Sequence, residues 1–163
     1  MKIYLLRHAS PMEQATSGKD SDRPLSIQGF QESAQLGEQL RIMTPPCEVW
    51  CSSAVRTCET LTEIAKKWKP LACSYSPKLY MATKEVYLNL ICNSSGSDDL
   101  MIIGHNYGIS DLLLYLTGTH VLLEPAEFVE IEFTAMARCE ISFETGTIAR
   151  RYRPPSPLVY KYN

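Results

Sequence analysis

Leu100-Met-Ile-Ile-Gly-His-Asn106 is the stretch on which the fold turns. Four consecutive apolar residues are too few for a helix. They are bounded upstream by Asn93-Ser-Ser-Gly-Ser-Asp-Asp99, a turn-rich loop, so they read as a short strand covered on both faces. A helix follows from about Tyr107 to Thr117. The same unit recurs toward the amino terminus. Lys2-Ile-Tyr-Leu-Leu6 is a short buried strand ending at Arg7-His8, and residues 11–24 are a polar loop. Ser26 caps a helix running to about Met43, with apolar positions at Ile27, Phe30, Ala34, Leu36 and Leu40. Pro45-Pro46 ends it. Glu48–Cys51 is a second strand, followed by a helix from about Val55 to Trp68; Leu71–Tyr75 is a third, followed by a helix from about Lys84 to Cys92.

Beyond Pro125 the period changes. Glu127–Phe133 and Arg138–Phe143 alternate polar and apolar residues around a turn at 134–137, which predicts an antiparallel hairpin. The tail with Pro154, Pro155 and Pro157 is expected to run extended over the surface. Strands alternating with helices imply a three-layer α/β/α sandwich with a mostly parallel central sheet, plus this hairpin. With no internal repeat and no linker, residues 1–163 are expected to form a single domain.

Composition excludes several function classes. Hydrophobic residues make up 45% and charged residues 21%, and the net charge is −2, so there is no general attraction to nucleic acid or an anionic membrane. Any bound anion must be held by a local cluster of cations. The opening MKIYLLRHAS has an apolar run too short for a signal-peptide core, and no stretch reaches membrane-span length, so a cytoplasmic location is expected. The six cysteines lack paired CxxC spacing and several sit in apolar runs, which predicts reduced, mostly buried thiols and no metal site.

Basic groups follow three of the strand ends: Arg7-His8, Arg56 and His105. In an open α/β sheet ligands bind outside the carboxyl ends of the strands, so His8 and His105, 97 positions apart, can meet at one edge. Two of these clusters lead into helices, whose free N–H groups favour an anion. Two arginines and two histidines there describe a phosphate pocket. Guanidinium forks pair with phosphate oxygens and lower the pKa of an adjacent imidazole. A neutral imidazole can attack phosphorus in line, and a second can donate to the phosphoryl oxygens. No metal and no cofactor are expected, since protein cations neutralise the charge.

Four motifs then carry a resemblance. Leu6-Arg7-His8-Ala9 resembles the Arg-His-Gly signature of the histidine phosphatase superfamily, the phosphoglycerate mutase-like fold, with Ala in place of Gly. Asp22-Arg23-Pro24-Leu25-Ser26-Ile27-Gln28-Gly29 resembles its R-P-L-T-x-x-G segment, with Ser for Thr. Ser52-Ser53-Ala54-Val55-Arg56-Thr57 resembles the segment that brings in the second arginine. Gly104-His105-Asn106 resembles the segment supplying the second histidine. The resemblance implies His8 as a covalent nucleophile, with Arg7, Arg56 and His105 completing the phosphate pocket and Ser10 and Asn106 lining it.

Short length and the Ala9 variant are most similar to the phosphohistidine phosphatase branch, the SixA-like proteins. The expected partner is therefore a phosphorylated protein carrying phosphohistidine, or a small phosphorylated metabolite, with no nucleic acid and no membrane. Oligomeric state is left open.

One departure matters. Sugar-phosphate members carry an acidic proton donor after the third strand, whereas Pro77–Thr83 holds no carboxylate and Glu85 falls on a predicted helix surface. That gap favours a phosphoramidate, or an activated phosphate, over an ordinary sugar phosphate. Two alternatives remain open: a phosphatase of a small metabolite, and a catalytically weak binding module of the same fold. A cysteine phosphatase is disfavoured, because Cys51 and Arg56 are separated by four residues where that loop needs five. His120 and the basic Arg150, Arg151 and Arg153 read as solvated, although a phosphoprotein could use that basic tail. Arg23 reads as a loop anchor.

Overall fold

A computed structural model describes residues 1–94, 99–135 and 137–155. In chain order the elements are β1 (Lys2–Arg7), α1 (Ile27–Met43), β2 (Glu48–Ser52), α2 (Val55–Ile64), β3 (Ala72–Ser76), α3 (Lys84–Asn93), β4 (Leu100–Gly104), α4 (Gly108–Thr117), β5 (Phe128–Phe133) and β6 (Gly146–Tyr152). The six strands form one sheet in the order β3-β2-β4-β1-β5-β6. Pairs β1/β4, β2/β4 and β2/β3 are parallel, while β1/β5 and β5/β6 are antiparallel. The mixed, mostly parallel α/β/α sandwich is the expected architecture.

Strand alternation explains the layering. Successive side chains leave opposite faces of a strand, so the buried stretches Ile3–Leu6 of β1 and Leu100–Ile103 of β4, central in the sheet, must be apolar at every position. Ile3 and Leu5 of β1 join Leu100 and Ile102 of β4 in a core closed by Tyr87 and Ile91 of α3 and by Ile109, Leu112, Leu113 and Leu116 of α4. Tyr4 and Leu6 join Met101 and Ile103 in a second core on the other face, closed by Leu36 and Leu40 of α1 and Leu61 and Ile64 of α2. The helix after β1 thus lies on one face and the helix after β4 on the other. Neighbouring strands whose chains depart to opposite faces leave a crevice at their carboxyl ends.

The cap at Ser26 is present, its hydroxyl accepting the Gly29 N–H at 3.1 Å, and α1 ends at Met43 as expected. Its buried face is different. Ile27 and Phe30 are exposed, and the helix buries Gly29, Glu32, Ser33, Leu36, Gly37 and Leu40 instead. Small residues win those positions because the helix packs close to backbone: a Cβ on Gly29 would lie 2.1 Å from the Ser10 carbonyl oxygen. Helix α2 ends at Ile64, four residues earlier than expected, and Trp68 instead buries its ring and donates Nε1–H to the Thr44 carbonyl at 2.9 Å.

The hairpin needs a larger correction. Its first strand is β5, but Arg138–Glu140 is a 3-10 turn and the true partner is β6. The alternation of residue type at 138–143 does not follow burial: Arg138 is buried in an ion pair with Glu48 and lies over the Trp50 ring, while the apolar Cys139 and Phe143 are exposed. Strand β6 lies at the sheet edge with most of its residues exposed, so it carries little hydrophobic pattern. The cysteines differ as well: all six are free, but Cys73 and Cys139 are exposed. Most of the loop expected at 93–99, Met136 of the expected turn, and Pro157 lie outside the described residues. Among the described residues no helix is long and apolar enough to cross a membrane.

Candidate active site

The crevice at the carboxyl ends of β1, β2 and β4 opens as a cleft of about 600 Å³ lined by Arg7, His8, Pro11, Asp20, Arg23, Arg56, Tyr80, Met81, His105 and Asn106. Its floor is buried. His8 is 5%, Arg56 2% and His105 1% exposed, whereas Met81 at the rim is 53% exposed. The two imidazole centroids are 5.1 Å apart. Residues expected to converge from distant parts of the chain do so.

Backbone pairing fixes the floor. The His8 N–H donates to the Gly104 carbonyl at 3.2 Å and the His8 carbonyl accepts from Ala126 at 3.1 Å, so β1 hands its last residues to both neighbouring segments. Gly104 is required by a close approach, since a Cβ there would stand 2.2 Å from the Tyr87 hydroxyl. The Gly108 backbone likewise meets the Ala82 carbonyl, 1.8 Å from where a Cβ would sit.

The His8 ring is oriented at both nitrogens. Nδ1 lies 2.7 Å from the Ala9 carbonyl oxygen, which can only accept, so Nδ1 carries the proton. Nε2 therefore holds a lone pair, and it accepts from Arg56 Nε at 3.3 Å. Burial first, then the positive neighbours His105, Arg56 and Arg7, depress the His8 pKa to about 3. His105 is lowered to about 4, by burial and then by Arg56. Both rings are neutral near pH 7. His105 Nε2 lies 2.8 Å from the Ser52 hydroxyl at the end of β2. Among the described residues His105 Nδ1 and Arg7 Nε are buried without a protein hydrogen-bond partner. Arg7 is anchored by Nη1 donating to the Leu123 carbonyl at 2.7 Å.

Asn106 lines the cleft, its amide tied to the Leu123 carbonyl at 2.7 Å and to Ser110 at 2.6 Å. Ser10 is not brought in. Its N–H and hydroxyl both donate to the buried Glu32 carboxylate, at 2.9 and 3.0 Å. Arg23 anchors its loop as expected, donating to the Met12 carbonyl at 2.7 Å and to Asp20 Oδ1 at 2.8 Å, but it also reaches the cleft wall. Glu85 is at the surface, paired with Lys84, and His120 is exposed. Cys51 is a fully buried member of the sheet core, away from the cleft lining, and its hydrogen bond with Cys58, then burial, hold its thiol well above the ordinary range.

Sequence reasoning missed the rim. Asp20 Oδ2 accepts from Arg56 Nη2 at 2.9 Å and from the Tyr80 hydroxyl at 2.7 Å, while the Asp20 carbonyl accepts from Arg56 Nη1 at 2.7 Å. Tyr80 also stands edge-on to His105, ring centroids 5.5 Å apart. Asp20 lies in a polar loop with no pattern to mark it. Its spacing of three from Arg23 was the one available signal. Among the described residues no three His, Cys, Asp or Glu side chains gather as metal ligands.

Residues 3–80 match the histidine phosphatase superfamily (branch 1). The matched residues include Arg7, His8 and Arg56 and stop short of His105. Similar solved structures include proteins assigned as phosphohistidine phosphatase SixA from Nakamurella multipartitia (TM-score 0.80, 22% identity, 94% of this chain and 95% of that one) and from Agrobacterium tumefaciens (TM-score 0.79, 22% identity, 94% and 97%). The protein histidine phosphatase SixA complexed with tungstate is also similar (TM-score 0.74, 19% identity, 94% and 97%). At these identities the likeness is one of fold. No curated protein matches the chain in sequence.

Proposed function

We propose that this protein removes the phosphoryl group from protein phosphohistidine, through a covalent intermediate on His8. The observation that carries the reading is the orientation of one ring: Nδ1–H is spent on the Ala9 carbonyl, leaving the Nε2 lone pair in the cleft beside Arg56 Nε. That is the state a nucleophilic imidazole needs, and the environment keeps it neutral without a separate base. Arg7 and Arg56 hold the phosphoryl oxygens as charge spreads over them. Where the Ser52 hydroxyl donates to His105 Nε2, the proton of that ring is on Nδ1 and free for a third oxygen. The similar fold of proteins assigned as SixA favours phosphohistidine over other substrates.

The steps balance without an external acid. His8 Nε2 attacks phosphorus and the bond to the substrate nitrogen breaks, its electron pair returning to that nitrogen. A substrate imidazole protonated at its other nitrogen leaves neutral, with the proton still in place. His8, now bearing the phosphoryl group on Nε2 and a proton on Nδ1, carries the positive charge. Water then attacks phosphorus, the His8–phosphorus bond breaks, and dihydrogen phosphate leaves with both protons of the water. An alkyl phosphate would need a proton donor at the departing oxygen. Among the described residues the rim offers only Asp20, which Arg23, Tyr80 and Arg56 hold well below the ordinary carboxylate range, and Tyr80, whose phenol is raised by the bond it donates to Asp20.

A substrate panel tests the reading. The protein should hydrolyse a phosphohistidine peptide with a kcat/KM well above that for alkyl and sugar phosphates, and His8→Ala should abolish turnover. Faster hydrolysis of alkyl or sugar phosphates would overturn it.

A further inference from the structure

Asp20 is out of place in a site built for an anion. Three guanidiniums, Arg7, Arg23 and Arg56, line the cleft, and this carboxylate sits among them with its side chain 47% exposed at the mouth. Every phosphoryl substrate is repelled by it to some degree. Holding Arg56 in place could be done by neutral groups, and the Asp20 carbonyl already accepts from Arg56 Nη1 at 2.7 Å.

The hydrogen bonds leave the carboxylate with capacity. A carboxylate offers about four acceptor positions. Oδ2 uses two, for Arg56 Nη2 and the Tyr80 hydroxyl, and Oδ1 uses one, for Arg23 Nη1. The remaining position on Oδ1 belongs to a half-exposed group at the rim. With His8 on the buried floor, in-line attack drives the leaving group outward, toward that rim.

Resting on the phosphohistidine reading above, we propose that Asp20 is a specificity-determining residue that selects substrates whose leaving nitrogen system carries a proton, accepting that N–H through Oδ1. The substrate class is the protonated phosphoramidate, with an imidazolium as the departing group. Such a group brings both the positive charge that Asp20 attracts and the proton that the site has no acid to supply. In the transfer, the phosphorus–nitrogen bond breaks toward the ring, the ring becomes neutral, and its N–H remains hydrogen-bonded to Asp20. No proton crosses to the protein.

The experiment compares kcat/KM for a phosphohistidine peptide with that for p-nitrophenyl phosphate, whose leaving group is uncharged before departure and needs no proton. It is run on the native protein, Asp20→Asn and Asp20→Glu. Asp20→Asn keeps the shape and still accepts from Arg56, so the ratio of the two kcat/KM values should fall about ten- to hundredfold. Asp20→Glu, which keeps the charge, should restore most of it. A parallel loss on both substrates would mean that Asp20 only positions Arg56, and overturns the proposal, as does an unchanged ratio in Asp20→Asn. Absence of any preference for phosphohistidine in the native protein would overturn the parent reading as well, and is distinguished by that first measurement.

Discussion

The floor and the rim of the cleft are built by different means. His8, Arg56 and His105 stand at strand ends or a helix start, nearly sealed from solvent, and each is fixed by at least one neighbour within 3.3 Å. Asp20, Tyr80 and Met81 come from short turns and connections and are more exposed, and Asp20 and Tyr80 depend on each other and on Arg56 for their placement. A buried polar group that loses its partner bears a desolvation cost that an exposed one escapes. The floor is therefore rigid and suited to transition-state charge, while the rim can be altered to choose among leaving groups.

Disturbing the floor should cost most. Arg56→Ala removes a buried guanidinium that touches His8 and faces the transferring group, and kcat should fall about 10²- to 10³-fold on every phosphorylated substrate. Arg56→Lys should recover little, because an ammonium cannot reproduce the fork. Steady-state kinetics on an aryl and a phosphohistidine substrate check this. A loss confined to one of them would place Arg56 with the rim.

The next effect concerns packing beneath the floor. Gly104→Ala drives a methyl to within 2.2 Å of the Tyr87 hydroxyl, inside a core where Tyr87 is fully buried. Overpacking of this kind costs about 1–3 kcal/mol, measurable by urea unfolding. Adding Tyr87→Phe removes the atom in conflict, leaving the next ring carbon at 3.1 Å, and should return part of the loss.

The smallest effect is a difference in pH dependence between the two regions. His8 and His105 titrate at about 3 and about 4 when folded, against 6.5 for an ordinary histidine. Between those values the unfolded chain binds more protons than the folded one. Their stabilisation is thus complete above about pH 6.5 and is lost as pH falls toward 4 and then 3. Asp20, whose pKa is depressed from 3.8, loses its contribution only below that point. Urea midpoints should already drop between pH 7 and pH 5, and Asp20→Asn should leave that interval unaffected. A flat midpoint across it would mean that the rings are not buried in their neutral form.

The same division governs what could be read from the chain alone. Central strands covered on both faces must be apolar throughout, so β1 and β4 announce themselves, and the basic residues at their ends follow. The rim residues sit in polar loops, where sequence pattern carries no information about which neighbour a side chain will meet; Asp20 joins Arg56 across 36 positions. Edge position also hid β6, whose exposed face needs no alternation, while the alternating residue types at 138–143 imitated a strand although the apolar Cys139 and Phe143 are exposed. The basic tail looked like a free patch. In the fold Arg151 pairs with Glu127, Arg153 with Glu124 at 3.6 Å, and Arg150 approaches Glu130 at 3.9 Å, so much of that charge is already answered.

Rapid-quench trapping of the phosphoenzyme bears most directly on the chemistry assigned to the floor. Mixing the protein with a phosphohistidine peptide and stopping within one turnover should leave a phosphoryl group that survives alkali, is lost in acid, and maps by mass spectrometry to His8. Label on Cys51 or any other residue, or full turnover by His8→Ala, would contradict a nucleophilic His8.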